Sequence, residues 1–164
     1  MTKFQFNTKY FGKIIINEQS GHGDTDVKYN NQEIGIFFSD YSIYGDKIKI
    51  VLKIIDKYLE INEIAKNAIL ENFNRNELLK YYFECHFDVL EEEKLMEIFH
   101  GNDFEKLDIK NTVEKLNYPD LLFSIENNKI IVSIDYMVSK KYSDEILCVK
   151  MDENLNIIDF SHES

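Results

Sequence analysis

The apolar residues change their spacing twice along the chain, and that change restricts the fold more than any other feature. Up to Phe38 and again after Asp120 they come in short β-branched or aromatic runs bounded by Asn, Asp and Gly, which reads as strands. Between those regions they recur every three or four residues, which reads as amphipathic helices. Strands, then helices, then strands predict an α+β fold. In it a mostly antiparallel sheet, built from an N-terminal hairpin and a C-terminal meander, carries a central helical block packed on one side.

The elements follow from local signals. Tyr10–Ile16 (YFGKIII) predicts a strand, and Asn17–Asp26 (NEQSGHGDTD) a mobile connection. In Val27–Phe38, Asn30-Asn31 suits the positive φ of a tight hairpin. Asp46 is the expected N-cap of a first helix bearing Ile48, Val51, Leu52, Ile55, Tyr58 and Leu59, and Asn62 that of a second ending near Phe73. A third helix begins near Asn76. A fourth carries Leu95, Met96 and Phe99 and ends at His100-Gly101, and a last short one covers Asp108–Leu116. Two hairpins close the chain, one turning at Asn127-Asn128 and the other between Asp152 and Asn156.

With 164 residues, 44% hydrophobic and 13% aromatic, the chain fits one domain spanning 1–164 and is too apolar for disorder. One proline and six glycines leave little for a flexible linker. The N-terminus lacks the layout of a signal peptide and no apolar run reaches a membrane span, so the expected place is the cytoplasm, with Cys85 and Cys148 reduced. The net charge of −11 and the single arginine, Arg75, argue against nucleic acid and anionic membranes as direct partners. An acidic surface of this strength attracts basic proteins.

Three stretches resemble a known family: Phe11-Gly12-Lys13-Ile14, the helical YYFECHFDVLEEEKLMEIFHG, and the closing DEILCVKMDENLNIIDFSHES. Together they resemble a family of small bacterial proteins known only as a domain of unknown function. That family's ending looks like a strand reading V-x-K-x-D-E-N, a turn, and a strand finishing in Glu-Ser. Here Val149, Lys150, Asp152, Glu153, Asn154, Glu163 and Ser164 stand in those places. The resemblance implies a fold and supplies no catalytic residues. Where the family's last turn carries Gly, this chain has Leu155.

Motifs for chemistry are sparse. Gly21 and Gly23 flank His22, with Asp24 and Asp26 beyond, but calcium-loop and phosphate-loop spacings are both missing. His22, Asp24 and Asp26 would be the residues of an enzyme or metal-binding reading. Cys85, His86 and His100 lack zinc-motif spacing, and His86 falls in the apolar stripe of its helix. No nucleophile motif is present. The expectation is a protein that is not an enzyme and needs no cofactor or metal.

What stands out is charge. From Glu84 to Glu105 eight acids face one lysine, Lys94, while lysines gather at Lys3, Lys9 and Lys13 and at Lys47, Lys49, Lys53 and Lys57. As a plain solvated face these acids lie opposite Leu95, Met96 and Phe99. Such density, with Glu93 and Glu97 an i,i+4 like-charge pair, destabilises the helix by a few tenths of a kcal/mol per pair. A segregated field speeds encounter with an oppositely charged protein. The function expected is therefore an immunity protein neutralising a basic, nuclease-type toxin domain. Its interface would hold Glu84, Asp88, Glu91, Glu92, Glu93, Glu97 and Asp103 around Phe99 or Phe104 as anchors. The alternative is a housekeeping interaction module, as a homodimer in one form; the expected oligomeric state is open between monomer and homodimer.

Overall fold

The computed structural model describes residues 3–19, 22–39, 43, 45–116 and 119–164. Eight strands follow one another in the sheet in their sequence order: β1 Lys3–Thr8, β2 Gly12–Gln19, β3 His22–Tyr29, β4 Gln32–Phe38, β5 Asp120–Glu126, β6 Lys129–Tyr136, β7 Ile146–Asp152 and β8 Ile157–Glu163. Each neighbouring pair is antiparallel except β4 and β5. A parallel pair needs a long crossover. Five helices supply it: α1 Ile48–Ile55, α2 Tyr58–Asn72, α3 Glu77–Val89, α4 Glu92–Phe99 and α5 Ile109–Lys115. This is the α+β arrangement expected.

Strand alternation sorts the two faces of the sheet. Ile36, Leu121, Ile134 and Val149 stand side by side in β4 to β7, and all are fully buried. They share one core with Val51, Ile55, Tyr58, Ile61, Ala65, Ile69, Tyr82 and Phe83 of the helices. The opposite face carries the row Asp120, Asp135, Cys148 and Ser161. At the parallel junction the amide of Gly35 donates to Asp120 Oδ1 at 2.7 Å. A Cβ at Gly35 would meet the Phe37 ring at 2.4 Å, so only glycine fits there unless that ring moves.

The asparagine turns form as expected: Asn30 and Asn31 take φ of 49° and 65°, Asn127 and Asn128 49° and 64°. Asn76 caps α3 through Leu78 N and Leu79 N, and Asp108 caps α5 through Asn111 N.

Several expectations need correction. Lys3–Thr8 is an additional strand, its Phe4 and Phe6 alternating with Gln5 and Asn7. Much of Asn17–Asp26 is strand rather than loop: β2 and β3 continue into it and pair over Asn17–Gln19 and His22–Asp24. Asp46 caps nothing, since α1 starts at Ile48 with Lys47 as its N-cap. Asn62 lies inside α2, which begins at Tyr58 because that ring is buried and its hydroxyl donates to Pro119 O at 2.9 Å. The end of α4 at His100-Gly101 is as expected, with His100 in the left-handed position at φ 57°. In the last turn Leu155 adopts φ 66°. The Asp152 carboxylate braces that turn by accepting from the amides of Asn154 and Asn156.

Candidate functional site

The charged stretch folds as α3 and α4, with Leu90 and Glu91 between them. Glu84, Asp88, Glu91, Glu92, Glu93 and Glu97 are all exposed, and Asp103 is half-buried. Four of the seven have local partners. Glu91 pairs with Lys94 at 3.0 Å, Glu92 accepts from Asn102 at 2.7 Å, and Glu97 accepts from the Tyr142 hydroxyl at 2.8 Å. Asp103 pairs with Lys106 at 2.7 Å, and that contact holds its carboxyl below its ordinary range. Glu84, Asp88 and Glu93 make no hydrogen bond or ion pair among the described residues.

The anchors differ from expectation. Phe99 is 6% exposed and stacks on Phe87 with centroids 4.9 Å apart, so it belongs to the core. The reason is helical phase: Leu95 and Phe99 share the inward face of α4. Phe104 is half-buried and meets Phe87 edge-on at 5.6 Å. The apolar residues that reach solvent are others: Tyr81 at 58%, Val89 at 73% and Met96 at 48%. Tyr81 shares a face of α3 with Glu84 and Asp88, and Met96 shares a face of α4 with Glu92 and Glu93. Each helix thus presents an apolar side chain among carboxylates.

Beside this edge a cleft of about 390 Å³ is lined by Phe87, Phe99, Asn102, Asp103 and Asp108 among others. His100 and Lys106 line it as well, and Lys106 already holds Asp103, so the rim is of mixed charge.

The histidines do not gather as a zinc motif would require. His86 is fully buried: its Nδ1 donates to Tyr82 O at 2.8 Å, and its Nε2 accepts from the Ser143 hydroxyl at 2.9 Å. Burial holds His86 below its ordinary pKa. His100 is exposed at the end of α4. Asp24 and Asp26 are exposed on β3 and join no group of three metal-ligating side chains among the described residues, and the side chain of His22 lies outside them.

The structure gathers a different set. Cys85 Sγ, a Glu145 carboxylate oxygen and a His162 ring nitrogen all lie within 4.8 Å of one another. Cys85 comes from α3, Glu145 from the residue before β7, and His162 from β8, where it faces Leu147. The closing hairpin made Glu145 and His162 neighbours by register alone. The docking of α3 onto β8 had no signal in the sequence.

No family model matches the chain, and no solved structure matches it significantly. Among curated proteins it is similar to the Holliday junction branch migration complex subunit RuvA of Mycoplasma mycoides subsp. mycoides. The two are 25% identical over 144 residues, covering 84% of this chain and 74% of that protein.

Proposed function

We propose that this chain is a binding protein of the immunity type, whose acidic α3–α4 edge docks on a basic protein, in the sharpest form a nuclease-type toxin domain. The observation that carries the reading is the pairing of exposed apolar and acidic residues on both helices: Tyr81 with Glu84 and Asp88, Met96 with Glu92 and Glu93. A merely solvated face needs no apolar residue there, whereas an interface needs apolar anchors inside a charged rim. Carboxylates can occupy a cleft shaped for phosphate, and an acidic field steers the encounter. None of the described helices is long and apolar enough to cross a membrane.

The test is capture by the immobilised full chain from a lysate of the native organism at low and high salt. It is repeated with Glu84→Lys, Asp88→Lys and Glu93→Lys combined, residues free of internal bonds. A basic protein held by the parent chain at low salt, released at high salt and lost by the variant is the expected result. The captured protein should then be lethal when expressed alone in a bacterial host and tolerated when this chain is co-expressed. Capture by parent and variant alike, or of nothing at either salt, rejects the reading.

The similarity to RuvA favours a second reading, association with branched DNA or with proteins acting on it. Lys49 and Lys53 are exposed one turn apart on α1, and Lys57, exposed at the start of α2, is paired with Glu60 at 3.6 Å. Phosphate contact by these lysines would give anisotropy on a labelled four-way junction that falls steeply with salt. With a net charge of −11 we place this reading second, and no binding at low salt removes it.

A further inference from the structure

We propose that Cys85, Glu145 and His162 form a binding site for one divalent zinc-type cation, its fourth position open to solvent. This inference is independent of the acidic-edge reading. The three donors are a sulfur, a nitrogen and an oxygen, the mixed set that selects zinc over the oxygen-seeking Mg²⁺ and Ca²⁺. Tetrahedral zinc with bonds of about 2.0–2.3 Å places its ligand atoms about 3.5 Å apart. Donors within 4.8 Å of one another therefore close by up to about 1.3 Å, while the hydrogen-bonded Glu145 and His162 atoms part to admit the ion.

The surroundings position the ligands as a metal site requires. The ring of His162 lies 5.4 Å from Tyr82 and 5.6 Å from Tyr81, and its Nε2 is hydrogen-bonded to Glu145 Oε2. A cation entering between these two atoms takes the place of the hydrogen they share. The Glu145 amide donates to Ser143 Oγ at 3.1 Å, and its carbonyl accepts from the Tyr82 hydroxyl at 3.4 Å. Cys85 Sγ is 3.1 Å from Tyr82 O. Such outer contacts orient ligands and tune affinity. The side chains of His162 and Glu145 keep 15% and 24% exposure, enough for an ion to enter.

Charge supports a cation over a reactive thiol. The Glu145 and Asp88 carboxylates lie close enough to Cys85 to act on it electrostatically. Nucleophilic cysteines sit in electropositive settings, and this one does not. Binding would release the thiol proton to solvent and move the Nε2 hydrogen of the neutral His162 ring to Nδ1, so that one thiolate and one carboxylate balance the dication.

The experiment is titration of the chelator-stripped full chain with Co²⁺ and Zn²⁺ themselves. We expect one equivalent bound, a thiolate-to-cobalt charge-transfer band and a higher Tm with Zn²⁺. Cys85→Ser should abolish the band, and Glu145→Gln and His162→Gln should each weaken binding at least about tenfold. Circular dichroism of each stripped variant checks its fold. The parent chain decides the matter even if a variant misfolds: no band, or no one-to-one stoichiometry, overturns the proposal. Equal affinity in Cys85→Ser also overturns it, by placing the ion elsewhere.

Discussion

The phenolic hydroxyl of Tyr136, in β6, donates a 2.6 Å hydrogen bond to the carboxamide oxygen of Asn62, inside α2. The same hydroxyl is 3.2 Å from the Asn62 carbonyl oxygen. Both residues are buried, so the pair ties the helical crossover to the centre of the sheet. Removing the donor alone leaves a buried acceptor unsatisfied, which costs about 1–3 kcal/mol. Tyr136→Phe should therefore lower the unfolding free energy by that amount, seen as a lower denaturation midpoint with an unchanged denaturant slope. A midpoint equal to the parent's would show that the contact holds nothing together.

Phe99 gives a second expectation, because an anchor and a core residue fail differently. Its ring packs on Phe87 and edge-on to His86 at 5.9 Å. Phe99→Ala should destabilise by about 3–5 kcal/mol, the usual range for a truncated core phenylalanine. Met96→Ala should leave stability nearly unchanged and act on binding. Thermal melts of the two variants side by side separate these roles, and equal melting losses would contradict the assignment.

Asp135 predicts a pH dependence of definite sign. Burial, with Glu163 and Asp120 adding, raises its carboxyl to about 6 from an ordinary 3.8. Between those values the folded chain binds more protons than the unfolded one, so this group's share of stability falls as pH rises through that window. At about 1.4 kcal/mol per pKa unit the penalty is roughly 3 kcal/mol above pH 7. Asp135→Asn should be more stable than the parent at pH 7.5, and the gap should shrink towards pH 4.5. A gap that is constant with pH would refute the assignment.

Much of this fold was legible in the sequence. The change of apolar spacing located the helices, and the two Asn-Asn pairs located the turns, because both signals act within a few residues. β1 was missed: Phe4 and Phe6 alternate with Gln5 and Asn7, a pattern too short to stand out beside the run at Ile14. Asn62 was misread because a residue that caps helices well can equally satisfy a tyrosine brought from 74 residues away. The acidic edge was visible as charge, but its apolar members were not. Which of Met96 and Phe99 faces water depends on how α4 is rotated against Phe87. Hairpin register places Glu145 beside His162, but Cys85 joins them only through tertiary packing, and no spacing announces that.

The most direct test of the acidic-edge docking is the association rate with the captured basic partner, measured against ionic strength for the parent and for the Glu84→Lys, Asp88→Lys, Glu93→Lys variant. Steered association slows as salt screens the field. We expect the parent's rate to fall steeply with salt and the variant's to be slower and nearly flat. Equal rates and equal slopes for the two proteins would return these carboxylates to plain solvation and contradict the proposed interface.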